Sequence, residues 1–374
     1  MTDRFNALLE IGQSLWYDNI QRSLLLDGEL ERLITRGEIR GVTSNPSIFE
    51  KAIAHSQDYD RDLAALAGQG LTAGEIYECL AIEDIQAAAD LFRPVYDESQ
   101  GGDGYVSLEV NPTLALETEA TVREATRLWE EVARPNLMVK IPATQPGIPA
   151  IAQAIAAGVN INVTLIFSLK RYDQVISAYL EGLEQRLAKG EELADLASVA
   201  SFFVSRVDTK VDQRLEEIMR REEPGAGQAA SLLGSAAVAN AKLAYQQFLQ
   251  VFKGERFAKI AAKGARPQRP LWASTSTKNP RYSDVKYVEE LIGPQTVNTV
   301  PPSTFEAFRN HGEVAPTLLE ELDKAKNVLD SLEDLGISMD IVTQELEDEG
   351  VEAFASSFAN LLAAVEARRE EAAK

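Results

Sequence analysis

Eight short apolar or β-branched runs recur along the chain, and stretches of helical periodicity separate them. They lie at residues 14–18 (SLWYD), 41–43 (GVT), 105–109 (YVSLE), 137–141 (LMVKI), 161–166 (INVTLI), 199–204 (VASFFV), 270–274 (PLWAS) and 296–299 (TVNT). Amphipathic segments fill the gaps, among them 114–132, 148–157, 169–189, 228–252 and 285–291. Strand alternating with helix implies crossover connections and a parallel sheet. Eight such units favour a closed (β/α)8 barrel over an open sheet, and 374 residues fit one large barrel with additions. No glycine-rich phosphate loop follows any run, which weakens a nucleotide-binding doubly wound alternative. The expected fold is therefore an α/β barrel of the TIM type over residues 1–312. Additional acidic C-terminal helices at 318–332 and 342–369 pack on it within the same domain. The segment 222–227 (EEPGAG) reads as a surface loop.

Composition narrows the partners. Hydrophobic residues make up 45%, enough for a sizeable core. Net charge is −21, which argues against nucleic acid or an anionic membrane. From residue 313 onward, 16 acidic residues face 5 basic ones, so about half of the excess lies there and the barrel is nearer balance. An anionic substrate remains compatible. A single cysteine, Cys79, rules out an intrachain disulfide and suits a reducing, cytoplasmic compartment. Neither a signal peptide nor an apolar run of about 18 residues is evident. Two histidines, His55 and His311, make a histidine-based metal site improbable, so neither cofactor nor metal is expected. Either a monomer or a homodimer is expected. Cys79 falls in a helical stretch and reads as a core residue. Trp16, Trp129 and Trp272 read as packing residues, and the histidines as surface or core polar groups.

In a barrel of this type, function gathers at the C-terminal strand ends. Those ends here carry Asp18, Thr43-Ser44-Asn45, Glu109, Lys140, Asn162 and Thr164, Ser201 and Phe203 followed by Arg206, and 274–278 (STSTK). Alternation along the strands puts Glu109, Lys140, Asn162 and Thr164 on the face opposite their apolar neighbours, hence inside the barrel. Charges there are costly unless paired or used. The plain alternatives are a snorkelling surface lysine for Lys140 and a structural partner for Glu109; Glu109 could also be both partner and reagent. If Lys140 is inside, the chemistry follows. An amine among apolar groups gives up its charge more readily, and free amine attacks a ketone to form an imine. The protonated imine is an electron sink that permits cleavage of the neighbouring carbon–carbon bond, with Asp18 and Glu109 available for the proton transfers.

At this point the residues resemble a known family. Residues 137–144 (LMVKIPAT), 43–47 (TSNPS), 106–112 (VSLEVNP), 160–168 (NINVTLIFS) and 201–206 (SFFVSR) are similar to transaldolase motifs and follow that family's order over roughly residues 10–310. The resemblance implies Lys140 as the Schiff-base lysine and Asp18 as the acid–base group of bond cleavage. It implies Glu109 working with Thr164 and a water in imine formation and hydrolysis. Asn45 and Asn162 would hold substrate hydroxyls or the carbanion, Ser201 and Phe203 would line the pocket, and Arg206 would bind phosphate. One departure follows strand seven. Other members have a short Ser-x-Arg there, whereas 273–279 reads ASTSTKN; Ser274 and Lys278 are expected to share that phosphate contact. An exposed loop lysine is the plain alternative for Lys278. The implied activity is transfer of a dihydroxyacetone unit between sugar phosphates in the non-oxidative pentose phosphate pathway. A Schiff-base aldolase releasing that unit to water, or a catalytically silent barrel serving as a binding protein, are the rivals.

Overall fold

The computed structural model describes residues 4–54, 56–221 and 225–372. Eight strands close a barrel in chain order: β1 Gln13–Tyr17, β2 Gly41–Val42, β3 Tyr105–Glu109, β4 Leu137–Pro142, β5 Ile161–Ile166, β6 Ser198–Phe203, β7 Arg269–Ala273 and β8 Thr296–Val300. Every neighbouring pair is parallel, including β1 with β8. The fold is the expected (β/α)8 barrel, and each strand lies within a residue or so of its sequence reading. Nearly all strand residues are buried, which is why these runs read as continuous apolar segments.

Register does the first part of the site's construction. Glu109 pairs with Lys140 across β3–β4, and Lys140 pairs with Asn162 across β4–β5. The register between β5 and β6 shifts between Val163 and Ile166, where Leu165 takes φ +59°. Leu165 there lies under Gly350 of the C-terminal helix, where an added Cβ would meet Leu165 Cδ2 at 2.9 Å.

The helical layer departs from the sequence reading in three places. The segment 114–132 divides into a 3₁₀ turn, Pro112–Leu114, and a helix, Thr118–Val132. The segment 228–252 is two helices, Ala226–Leu232 and Ala236–Phe252, parted at Gly234. Gly234 has φ +68°, its N–H donates to Asp212, and a Cβ there would meet the Tyr282 ring at 2.6 Å. Of the expected loop at 222–227, residues 222–224 lie outside the described residues, and Ala226 already begins a helix.

Cys79 is exposed rather than in the core. The helix Ala73–Glu98 buries the face of Leu80, Ala81, Ile85 and Ala88. Cys79 stands nine positions before Ala88, about half a turn out of phase at roughly 100° per residue. Trp16 and Trp272 are fully buried and Trp129 packs against the core. His311 is exposed and 2.9 Å from Asp284, while His55 lies outside the described residues. The C-terminal helices are Leu322–Asp334 and Met339–Ala372. The second sends Phe354, Phe358, Leu361 and Val365 into the same hydrophobic core as the barrel strands and helices. Among the described residues no helix is long and apolar enough to cross a membrane.

Candidate active site

A cavity of about 420 Å³ opens at the C-terminal mouth of the barrel. Asp18, Asn45, Lys140, Thr164, Ser201, Phe203, Arg206, Ser274 and Lys278 all line it. Nine of the eleven residues expected from sequence thus share one cavity wall. The other two, Glu109 and Asn162, stand directly behind it.

Lys140 is the centre. Its Nζ lies 3.1 Å from Glu109 Oε2 and donates to the Ser44 carbonyl at 2.8 Å. Lys140 is 5% exposed and Glu109 8%, which removes the reading of Lys140 as a snorkelling surface lysine. The ring of Phe354, from the C-terminal helix, comes within 5.9 Å of Nζ. Asn162 is fixed on both sides: its amide donates to Ser107 Oγ at 3.0 Å, and its carbonyl oxygen accepts from Ser201 Oγ at 2.7 Å. Thr164 Oγ1 is buried and has no hydrogen-bond partner among the described residues, so it is available to a substrate or water.

Asp18 sits across the mouth from this group, just beyond β1. Thr43 Oγ1 donates to Asp18 Oδ1 at 2.6 Å and is itself 2.6 Å from Thr299 Oγ1. Burial raises the Asp18 carboxyl above its ordinary range, while the Thr43 bond and the charges of Lys140, Lys278 and Lys51 pull it down. Burial likewise raises Glu109; Lys140 opposes that shift and Asp18 adds to it. Two carboxyls biased toward their protonated forms flank one amine, an arrangement suited to passing protons at an imine.

The rim is cationic. The Arg206 guanidinium lies 5.5 Å above the Phe203 ring and makes no ion pair among the described residues. Phe203 in turn packs on Phe167 at 5.1 Å. Lys278 is exposed at the rim, where its Nζ donates to Ser276 Oγ at 2.6 Å. Partial burial lowers its pKa, the nearby charges of Arg206 and Lys51 add to this, and Asp18 opposes. Ser274 holds φ +54°, and its Oγ lies 3.1 Å from Ser205 Oγ at the start of the helix Ser205–Arg220. A non-glycine residue in the left-handed region is uncommon outside functional or over-determined sites.

Sequence reasoning missed Lys51 and Phe354, which line the cavity from the helix Pro46–Ala54 and the C-terminal helix, and the Thr43–Thr299 hydroxyl pair that holds Asp18. Thr43 stood inside a quoted motif. Thr299 closes the eighth strand run, a strand end that the same rule could have drawn in, whereas nothing in the local sequence of Lys51 or Phe354 marks them, because each reaches the site through tertiary packing.

A family model for transaldolase/fructose-6-phosphate aldolase matches residues 15–365. Curated relatives align over nearly the full length. A transaldolase from Acidothermus cellulolyticus is 50% identical, with 100% of this chain and 98% of that protein covered. A transaldolase from Thermobifida fusca is 49% identical, at 97% of each. A transaldolase from Trichodesmium erythraeum is 46% identical, at 96% of this chain and 97% of that protein.

Proposed function

The chain belongs to the transaldolase/fructose-6-phosphate aldolase family, and from that premise we propose that it transfers a dihydroxyacetone unit from sedoheptulose 7-phosphate to glyceraldehyde 3-phosphate. The products are erythrose 4-phosphate and fructose 6-phosphate, and the reaction belongs to the non-oxidative pentose phosphate pathway. The observation that carries the site assignment is the buried Lys140–Glu109 pair at 3.1 Å, facing Asp18 in a cavity with a cationic rim.

Lys140 attacks the ketose carbonyl, and its nitrogen loses protons as the carbonyl oxygen leaves as water. Glu109 supplies a proton to that oxygen, with Thr164 holding the water. Asp18 takes the proton of the hydroxyl on the far carbon of the bond to be broken, so that this carbon leaves as the aldehyde. The aldose phosphate departs, and the electron pair moves into the protonated imine. Asn162 and Asn45 hold the resulting three-carbon unit until an acceptor aldehyde takes it. Water, activated through Glu109, then releases the new ketose. Arg206, Lys278 and Ser274 bind the phosphate, and Lys51, which lines the same cavity, adds a further cation.

Borohydride added with fructose 6-phosphate tests this reading. It should fix a reduced three-carbon unit on Lys140 and on neither Lys170 nor Lys210, and inactivate the enzyme. Lys140→Arg should fold yet show neither turnover nor trapping, because arginine offers no free amine. An adduct on another lysine, or turnover by Lys140→Arg, would remove Lys140 from the mechanism. Release of free dihydroxyacetone in preference to transfer would point to the aldolase rival.

A further inference from the structure

Behind the substrate cavity lies a second one, of about 180 Å³, between the helices Ala73–Glu98 and Thr118–Val132 and the C-terminal helix. Asn45 lines both cavities; Lys140 lines only the front one, and Glu109 only the rear. The ion pair that makes and breaks the imine thus spans the partition. The rear cavity reaches the surface, because Gly74, Glu78, Asn111 and Leu362 on its wall are half-exposed.

Its chemistry is the reverse of the front's. The mouth carries Glu78 and Glu124, both joined to Arg127 at 2.6 and 2.9 Å. Arg127 also holds Glu131, so carboxylates outnumber the one guanidinium. Sugar phosphates are repelled there and drawn to Arg206 and Lys278 at the front. The inner end offers Glu109 and Asn45, with Tyr77, whose hydroxyl pKa is raised by burial first and by the nearby Glu109 charge in addition. Several waters fit, since about 10–15 Å³ of such volume holds one and two to four polar partners suffice. Ala81, Leu108, Leu128 and Phe358 on the remaining wall hold water loosely, as a passage requires.

We propose that this rear cavity is a separate entrance for water to the imine-forming lysine. The inference rests on the Schiff-base reading above. Each turnover releases one water when the carbon–nitrogen double bond forms and consumes one when it is hydrolysed. During both steps the sugar phosphate occupies the front cavity and obstructs that route. A rear path on the Glu109 side lets the leaving hydroxyl take its proton and depart as water, and lets the hydrolytic water arrive beside the same carboxylate.

Gly74 offers a clean plug. It lines the cavity, a Cβ there meets nothing within 4 Å, and its φ is not left-handed. Gly74→Leu should therefore fold, and Ala81→Phe fills the cavity body independently. The enzyme is loaded with fructose 6-phosphate, the aldehyde product is removed, and erythrose 4-phosphate is added. Acceptor consumption reports carbon–carbon bond formation, which needs no water, and ketose release reports hydrolysis. In both plugged variants acceptor should vanish at the wild-type rate while ketose appears about tenfold more slowly, a barrier rise of about 1.4 kcal/mol. Borohydride should then trap a seven-carbon adduct on Lys140, and Gly74→Ala should behave as wild type. Wild-type ketose release by either folded plugged variant overturns the water entrance. Absence of any trapped adduct in the wild type would instead overturn the Schiff-base reading beneath it.

Discussion

Asp18 and Glu109 are carboxylates in a place where burial works against their charge, and in both it is the largest influence on the pKa. The sign of the linkage follows. A carboxyl whose folded pKa exceeds its unfolded value favours the folded state while protonated, and that advantage is lost as pH rises through the folded pKa. At neutral pH, well above the ordinary carboxylate range, Asp18 therefore destabilises the fold. Asp18→Asn should melt at a higher temperature than wild type at pH 7.5 and lose nearly all turnover. The gap should close as pH falls toward the ordinary carboxylate range, about 3.9. A lower melting temperature for the variant at pH 7.5, or a gap independent of pH, would contradict this account. Arg206 makes a separate prediction, since it is unpaired among the described residues. Arg206→Ala should weaken phosphorylated donors about 10- to 150-fold, the worth of one charge-assisted contact of about 1.5–3 kcal/mol. Dihydroxyacetone as donor should be little affected, and equal losses on both would remove the arginine from phosphate binding. Glu109, Lys140, Asn162 and Thr164 were legible in the sequence because strand alternation separates polar from apolar faces. Lys51 and Phe354 were not, because a helical residue's aim depends on how its helix docks.

At the scale of elements, the strands were legible because a buried parallel strand must be short, apolar and polar-ended. The helical layer was less so. Amphipathic periodicity runs on through 228–252 and says nothing of the break, which is set by Gly234 meeting Tyr282 and Asp212 from distant segments. Tyr282 Oη donates to Asp212 Oδ2 at 2.6 Å while the Gly234 N–H donates to Oδ1 at 2.8 Å, so one carboxylate ties the corner. Gly234→Ala should cost about 1–2 kcal/mol for the left-handed backbone alone, and the clash with the tyrosine ring adds to that. Urea unfolding at equilibrium measures it. A loss under about 0.5 kcal/mol, the size of an ordinary surface change, would show that the corner adapts. Activity per folded molecule should be unchanged, because the corner lies outside the barrel mouth. The bulge at Leu165 was equally hidden: its strand reads as a regular apolar run, and the left-handed residue is held by Gly350 from far along the chain.

The whole molecule is closed by its last helix, and this is where the sequence was least informative. Sixteen acidic residues beyond position 312 read as a solvated surface, yet several are ties to the barrel's helices. Glu345 holds Lys210 and Arg214, Glu349 holds Lys210, and Glu347 meets Arg171 at 3.0 Å with both largely buried. Those partners lie more than a hundred residues earlier, so no local pattern announces them. The same helix buries Phe354, Phe358, Leu361 and Val365, and covers Leu165 at the end of β5. At about 1.5–3 kcal/mol for each fully buried apolar side chain, these four contribute about 6–12 kcal/mol. That matches the whole net stability of a typical domain, about 5–15 kcal/mol. A chain ending at residue 338 would expose that apolar surface and leave Arg171 without its buried carboxylate, which is costlier than never having had the pair. We therefore expect barrel and C-terminal helices to unfold as one unit, with the shortened chain failing to give a cooperative melt. Calorimetry of the full-length protein should show one transition. A shortened chain that melts as sharply as the parent would make the helix an accessory. If it also turned over fructose 6-phosphate, Phe354 would lose any part in shaping the site.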